Sequence, residues 1–258
     1  MTIESILRRI SDICRDALGG NLTGVYVHGS IAFGCFRWET SDVDFIVVTK
    51  ETLTLAEKIR LMEQLLALDA LCPPKGIEMS VVTEECCRHF THHAPYALHF
   101  SHAYLQRAQT DLAAYCRDMH GEDRDLAAHF TVIREKGVCL CGEGIASLFG
   151  EVPRSMYLDS LLCDVENAEA EIEENAVYLT LNLCRVLAYV REGTVLSKAE
   201  GGKWAMAQPY MPLPYKVLIQ KALKDYCEGE RMHEMPEGLL RRFAGNMLLM
   251  IRRLSGMQ

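Results

Sequence analysis

The chain has 258 residues, a formal net charge of −8, 49% hydrophobic residues and 24% charged residues. This length is enough for one large domain or two small ones, and the composition is too apolar for a disordered protein. An acidic balance argues against nucleic-acid binding, which needs a basic surface to displace counterions. The sequence contains no run of about 18 apolar residues, so we expect no membrane span and no membrane partner.

The N-terminal segment and the cysteines indicate the compartment. MTIESILRRISDICRD has its charges spread throughout and lacks an apolar central stretch, so we expect no secretory signal peptide. The eleven cysteines are an odd number, and their spacing lacks the paired CxxC pattern of a zinc site. We therefore expect free thiols in a reducing cytoplasm.

The first half of the chain alternates between helical and strand patterns. Apolar residues recur at helical spacing over 3–17 and 53–71. Strands are predicted at 23–28, 42–49 and 76–82, and a Gly-Ser turn and a loop over 31–41 connect the first two. From about residue 83 to 150 the pattern is mixed, with helices predicted at 102–118 and 123–136 and a short strand or turn at 138–141.

The second half of the chain predicts helices only, at 157–172, 174–191, 199–207, 213–227 and 237–254. In the last of these, Leu239, Phe243, Met247 and Ile251 recur every fourth residue and form one apolar face. The strand patterns end near Pro153. We therefore predict an α+β protein with one domain at 1–153 and a helical domain at 154–258.

Three carboxylates lie within the predicted strands in a pattern that indicates metal binding. Side chains alternate across a strand, so Asp42 and Asp44 face the same side, roughly 6–7 Å apart. Two adjacent carboxylates on one face repel each other unless a cation lies between them. Glu78, in the third strand, can supply another carboxylate, and an all-oxygen set favours Mg²⁺.

The Gly-Ser turn supplies the features of a phosphate site. Gly29 lacks a Cβ, so a phosphate can approach the backbone closely, and the Ser30 hydroxyl can donate a hydrogen bond to it. A DxD pair or a Gly-Ser turn alone is common without any ligand. Their combination with Glu78 predicts metal-assisted phosphoryl or nucleotidyl transfer.

Three stretches of the chain resemble known families. VHGSIAFGCFRWETSDVDFIVV resembles the nucleotidyltransferase motif of the polymerase-β superfamily, hG[GS] followed by Dh[DE]h. LTLNLCRVLAYVREGTVLSKAEGGKWAM and ALKDYCEGE resemble the C-terminal domain of the aminoglycoside 3''/9 adenylyltransferases. The resemblance implies a polymerase-β-like nucleotidyltransferase domain followed by an all-helical C-terminal domain. It also implies Mg²⁺-dependent transfer of AMP from ATP to an aminoglycoside or aminocyclitol hydroxyl.

The resemblance implies roles for individual residues. Asp42 and Asp44 hold Mg²⁺, while Glu78 lies near the metal and the substrate and acts as the general base. Tyr104 falls where the family carries a tryptophan that stacks on the drug. The residues implied for nucleotide binding, together with Gly29, are Ser30, Ser41, Arg185, Lys198 and Tyr226.

The chain departs from the dual-specificity enzymes between Pro153 and Leu179. This segment is shorter and lacks the tryptophan that serves streptomycin, which favours the spectinomycin 9-type. In its place runs an acidic stretch, DVENAEAEIEEN. That stretch is either a solvated helix face or, at Glu174 and Asn175, a surface that binds a cationic aminocyclitol.

Other functions stay open on the sequence alone. The acceptor can be another small molecule, a protein or an RNA, or the chain can be a degenerate nucleotide-binding module. The acidic charge argues against RNA, and the intact Asp42, Asp44 and Glu78 argue against degeneracy. We expect ATP and an aminoglycoside as partners, no nucleic acid, and a monomer or weak dimer.

Overall fold

The computed structural model describes residues 1–229, 236 and 238–256. The chain divides into two compact units, Met1–Tyr157 and Leu158–Gln258. The boundary at Pro153 stays a prediction, because one helix, Arg154–Cys163, runs across this division. Within the described residues, no helix combines the length and the apolar character that a membrane span requires.

The first unit is built on a five-stranded mixed sheet with the order β5-β3-β2-β1-β7. Only β2 and β3 run parallel, and the other neighbouring strands are antiparallel. β4 and β6 form a separate antiparallel pair. The strands are β1 Leu22–Val27, β2 Val43–Thr49, β3 Ile77–Thr83, β4 Ala94–Tyr96, β5 Leu98–Phe100, β6 Gly121–Asp123 and β7 Val138–Gly142.

Helices cover both faces of this sheet. On one face, strand residues such as Val25 and Phe45 pack with residues of α1 and α3, and on the other Ile46 and Val82 pack with residues of α7 and α8. Because side chains alternate along a strand, Asp44 projects to the same face as Ile46. The helices of this unit are α1 Ile3–Leu18, α2 Gly29–Ala32, α3 Leu55–Asp69, α4 Glu84–Arg88, α5 Leu105–Thr110, α6 Leu112–Asp118, α7 Leu126–Lys136 and α8 Ile145–Leu148, with 3-10 turns at Gly19–Asn21 and His102–Tyr104.

The second unit is helical around one central helix. Its elements are α9 Arg154–Cys163, which starts in the first unit, α10 Ala168–Glu171, α11 Ala176–Glu192, α12 Lys198–Ala207, α13 Leu213–Glu228 and α14 Leu239–Ser255. α11 contacts α12, α13 and α14. From Leu179 to Val190 every residue of α11 except Arg185 is buried. An α+β unit followed by an all-helical unit confirms the predicted fold class.

Two long helices predicted from the sequence are broken in the structure. The predicted helix 102–118 is a 3-10 turn followed by α5 and α6, because Asp111 leaves helical geometry and its side chain accepts the N–H of Ala114 at 2.9 Å. The predicted helix 157–172 is α9 and α10, separated by a turn at residues 164–167. Asp111 in the first break, and Asp164 and Asn167 in the second, favour local turns and caps over a continuous helix.

Other element bounds also differ from the prediction. The short strands β4, β5 and β6 were not predicted, because three residues are too few to show an alternating pattern. The loop predicted at 31–41 begins inside α2, and α7 begins at Leu126 rather than at residue 123. Residue 237, where the last predicted helix begins, lies outside the described residues, and α14 begins at Leu239.

The eleven cysteines are free thiols, and Cys139 on β7 is the exposed one. Burial raises the pKa of the Cys86 and Cys116 thiols to about 11. A raised pKa keeps a thiol protonated at neutral pH, so the buried cysteines behave as small apolar side chains. The buried set is Cys14, Cys86, Cys87, Cys116 and Cys184.

Candidate active site

Asp42, Asp44 and Glu78 form a carboxylate cluster in the first unit. One carboxylate oxygen from each lies within 4.8 Å of the others. Asp42 immediately precedes β2, and Asp44 in β2 is the register partner of Glu78 in β3. Because β2 and β3 are parallel and paired without a shift, the two side chains leave the sheet on the same face. All three residues are half-buried.

The electrostatics of the carboxylate cluster favour a cation. Burial raises the pKa of Glu78, and the negative charges of Asp42, Asp123 and Asp125 raise it further, while His129 acts in the opposite direction. Gathering carboxylates in a partly buried place disfavours their charged forms unless a positive charge compensates. The donors are all oxygens, so the residues present fit a hard divalent cation.

Gly29 is the backbone position that makes room for Asp44. Its φ is +58°, which favours glycine, and a Cβ at this position would overlap the Asp44 carboxylate. The residue before Gly29 is fixed as well, because the N–H of His28 donates to the carbonyl oxygen of Asp44 at 3.0 Å. The Gly-Ser motif predicted that a phosphate approaches the backbone at this glycine. In the structure, the group nearest to the position of the missing Cβ is the Asp44 carboxylate.

The segment between Gly29 and Asp42 contains polar atoms that lack protein partners. The Ser30 hydroxyl oxygen and the Arg37 Nε are buried without a hydrogen-bond partner in the described part of the chain. Ser41 is engaged, since its Oγ accepts the N–H of Arg37 at 3.0 Å. Buried polar atoms are nearly always satisfied in a working protein, so Ser30 and Arg37 point to a polar ligand. Arg37 was not predicted as a site residue, because nothing in the sequence around it distinguishes it from a surface arginine.

Histidines to which the sequence gave no catalytic or metal-binding role lie near the carboxylate cluster. The ring of His28 is buried and lies 4.4 Å from the ring of His129, measured between centroids. Burial, reinforced by His129, lowers the pKa of His28 well below its usual value, so His28 is neutral at pH 7. Ser80, two residues after Glu78 on the same face of β3, is 2.9 Å from Nδ1 of His99. These side chains form a polar layer beside the carboxylates.

Tyr104, expected at the drug-stacking position, lies in the second 3-10 turn. In the same turn, Nε2 of His102 is 3.2 Å from the Asp69 carboxylate. Asp69 also accepts the N–H of Ile77 at 2.8 Å, directly before Glu78. The buried Asp69 therefore connects the turn that carries Tyr104 with the strand that carries Glu78.

A second cluster lies in the helical unit and is called the cation cluster, comprising Asp164, Tyr178, Asn182, Arg185 and Lys198. The Asp164 carboxylate accepts hydrogen bonds from Tyr178 at 2.7 Å, from Arg185 at 3.3 Å and from the amide of Asn182. Nζ of Lys198 is 4.5 Å from the centroid of the Tyr178 ring. Arg185 and Lys198, which the resemblance assigned to the nucleotide, thus belong to one network.

Three other residues of the helical unit were predicted to bind nucleotide or substrate. Tyr226 is half-buried on α13, and Glu174 and Asn175 are exposed just before α11. Within the acidic stretch, Glu173 pairs with Arg241 at 2.7 Å, and both side chains are largely exposed. The stretch is therefore partly a solvated face, and the substrate role of Glu174 and Asn175 stays a prediction.

Family models match both units of the chain. Residues 7–83 match the nucleotidyltransferase domain, and residues 147–250 match the aminoglycoside adenylyltransferase C-terminal domain. The first range contains the carboxylate cluster, and the second contains the cation cluster. The order of the two matches is the order predicted from the sequence.

Individual proteins are similar to most of the chain. Spectinomycin 9-adenylyltransferases from the Staphylococcus aureus strains Mu50 and N315 are 26% identical over 225 residues, covering 83% of this chain and 81% of theirs. A crystal structure of spectinomycin adenyltransferase AAD(9) from Enterococcus faecialis with ATP and spectinomycin has a TM-score of 0.75 at 19% identity, covering 98% of this chain and 99% of that one. The chain therefore combines a nucleotidyltransferase domain with an aminoglycoside adenylyltransferase C-terminal domain, and it is similar over most of its length to spectinomycin 9-adenylyltransferases.

Proposed function

We propose that this protein transfers AMP from ATP to a hydroxyl group of an aminocyclitol antibiotic, with spectinomycin favoured, and releases pyrophosphate. The observation that carries the proposal is the carboxylate cluster, which sits on paired strands of the matched nucleotidyltransferase domain. The spectinomycin preference rests on the relatives, which are named spectinomycin 9-adenylyltransferases.

Asp42 and Asp44, with Glu78 beside them, would hold Mg²⁺. When bound, the ion supplies the positive charge that offsets the triphosphate and polarises the α-phosphate. The protein contributes a fixed spacing of carboxylate oxygens, because the β2–β3 register sets Asp44 opposite Glu78. Gly29 preserves that spacing by leaving space for the Asp44 side chain.

Glu78 would act as the general base. Burial and the neighbouring carboxylates raise its pKa in the metal-free chain. A carboxylate placed beside the acceptor hydroxyl can take the proton of that hydroxyl. In the reaction, the proton of the acceptor hydroxyl passes to a Glu78 oxygen as the hydroxyl oxygen bonds to the α-phosphorus of ATP. The bond from the α-phosphorus to the bridging oxygen breaks, and pyrophosphate leaves with the electron pair.

Hydroxyl and cationic side chains would bind the nucleotide. The unpartnered hydroxyl of Ser30 supports a hydrogen bond to a phosphate oxygen, and Ser41 holds the same loop. Arg185 and Lys198 would offset the triphosphate charge, and Tyr226 would help to hold the nucleotide. For the acceptor we propose Glu78 and Tyr104 together with Glu174 and Asn175, whose polar groups suit an aminocyclitol that carries ammonium groups.

The test is pyrophosphate release with ATP and Mg²⁺, measured separately with spectinomycin and streptomycin. We expect release with spectinomycin alone, abolished by EDTA and by Glu78→Ala. Glu85→Gln removes an exposed acidic charge from α4 and is the matched control, which should keep the wild-type rate. Release with both antibiotics would contradict the 9-type preference. If neither antibiotic gives release, the proposal that an antibiotic is the acceptor is contradicted.

A further inference from the structure

We propose that Asp164 is a positioning residue for the two cations that bind the nucleotide, Arg185 and Lys198. The inference rests on the proposed function, because it needs the cation cluster to bind ATP. Nothing in the sequence pattern or in the resemblance gave Asp164 this role. The acidic stretch that contains it suggested only a solvated face or a contact with the antibiotic.

The geometry around Asp164 is specific. Asp164 lies in the turn that follows α9, and its three hydrogen-bond donors are all on α11. Tyr178, Asn182 and Arg185 are separated by four and three positions, so they lie along one face of that helix. One carboxylate thus contacts two successive turns of α11.

Arg185 depends most on this carboxylate. It is the residue that interrupts the buried stretch of α11, and 23% of its side chain is exposed. A guanidinium in such surroundings is unfavourable unless it is paired, and Asp164 provides the opposite charge at 3.3 Å. The Nε of Arg185 is buried without a hydrogen-bond partner in the described residues. The guanidinium is therefore anchored on one side and keeps a donor for an anionic ligand.

Lys198 is connected to Asp164 through Tyr178. The Tyr178 hydroxyl donates to Asp164, which fixes the orientation of the ring whose face lies 4.5 Å from Nζ of Lys198. Burial, followed by the charge of Asp164, raises the pKa of Tyr178, so the phenol keeps the proton that it donates. α12 packs closely against α11 near Arg185, since a Cβ at Gly201 would overlap the Arg185 backbone. Asp164 thus orders both cations from one point.

A positioning role and a purely electrostatic role predict opposite results. If Asp164 acted only through its negative charge, it would oppose the triphosphate, and its removal would tighten ATP binding. If it positions the cations, its removal leaves Arg185 without its anchor and weakens ATP binding. The sign of the change therefore separates the two interpretations.

The experiment measures ATP affinity in the presence of Mg²⁺ and without an acceptor, on the full chain. We expect Asp164→Ala to raise the Kd for ATP about tenfold. In an Arg185→Ala background the same substitution should have a clearly smaller effect, because only the link through Tyr178 to Lys198 is then left to lose. Asp164→Asn, which keeps the shape and an acceptor oxygen, should restore part of the affinity. Glu192→Gln, at the exposed end of α11, makes the same charge change and should leave the Kd unaltered.

Three results would overturn the proposal. An unchanged or tighter Kd in Asp164→Ala, with Arg185→Ala weakened, contradicts it while leaving the proposed function intact. An equally large loss in the Arg185→Ala background shows that Asp164 acts on the fold rather than through the cation. A wild-type chain that binds no ATP overturns the proposed function as well.

Discussion

The carboxylate cluster and the cation cluster are assembled by opposite electrostatic rules. In the first unit, the pairing of β2 with β3 forces like charges together, and burial already disfavours the charged form of Glu78. In the second unit, Asp164 and Arg185 pair opposite charges, and tyrosine and amide donors complete the hydrogen bonds of the carboxylate. The first arrangement is completed by a ligand, whereas the second is largely complete before any ligand binds.

The two clusters also differ in what fixes them. Backbone hydrogen bonds between β2 and β3 fix the positions of the strand residues that carry Asp44 and Glu78. Side chains on helices hold the cations, and side chains can change rotamer when a partner is lost. We therefore expect substitutions in the first cluster to affect the chemical step and substitutions in the second to affect nucleotide affinity.

Asp42→Asn should give the largest effect. We expect pyrophosphate release to fall on the order of 10²–10³-fold, because the metal loses an anionic ligand. The free energy of unfolding in EDTA should stay constant or rise, since a repulsive charge is removed. Steady-state kinetics and thermal denaturation check both parts. The exposed Glu39→Gln, three positions earlier, is the charge-matched control. A loss of stability that parallels the loss of activity would contradict the view that the carboxylates are held together for the chemical step at the expense of the fold.

Gly29→Ala should give the next largest effect, and Gly34→Ala is its matched control. Both glycines have positive φ, at +58° and +67°, so either substitution should cost about 1 kcal/mol of stability. Only at Gly29 does the new methyl group meet Asp44, because the space at Gly34 is open. We expect a loss of about a hundredfold in kcat for Gly29→Ala alone. Equal kinetics in the two variants would show that Gly29 serves only backbone geometry.

Lys198→Ala tests the second cluster at a smaller amplitude. We expect the KM for ATP to rise about tenfold with a smaller change in kcat, because a charge-assisted contact to phosphate is lost. Lys203→Ala, on an exposed position of the same helix, should leave both constants unchanged. A fall in kcat at constant KM would place Lys198 in the chemical step and remove the distinction between the clusters.

Ser197→Ala and Thr54→Ala should give the smallest effects. Each residue begins a capping box, Ser197 with Glu200 before α12 and Thr54 with Glu57 before α3. We expect each substitution to lower the free energy of unfolding by about 1 kcal/mol. Only Ser197→Ala should raise the KM for ATP, by about twofold, since Lys198 is the first residue of α12. The same KM in both variants would mean that α12 orders Lys198 without its cap.

The carboxylate cluster was predictable because its geometry is local. Residues two apart in a strand share a face, which relates Asp42 to Asp44. Glu78 is the second residue of the next strand along the chain, and the parallel pairing of β2 with β3 sets it opposite Asp44. The cation cluster was predictable only in part. Helical spacing places Tyr178, Asn182 and Arg185 on one face, but no periodicity shows that Asp164 turns toward them, since that depends on the break between α9 and α10.

The close approach of Gly29 to Asp44 was likewise not predictable from the sequence. The motif identifies the glycine, but the neighbour that its missing Cβ accommodates lies across a strand pair and is visible only in three dimensions. Arg37 and His129 carry no sequence signal at all. Their relevance follows from a buried unpartnered nitrogen and from a ring contact, which are properties of packing.

The uneven burial of the thiols allows selective chemical labelling of this protein. Cys139 is exposed on β7, whereas Cys14, Cys87 and Cys184 are buried. A maleimide dye added briefly at neutral pH should therefore label position 139 before the buried thiols, without any engineered cysteine. Because β7 pairs with β1, the strand that leads to Gly29, such a dye would report ATP binding as a change in fluorescence. The native chain thus carries its own attachment point for optical titrations.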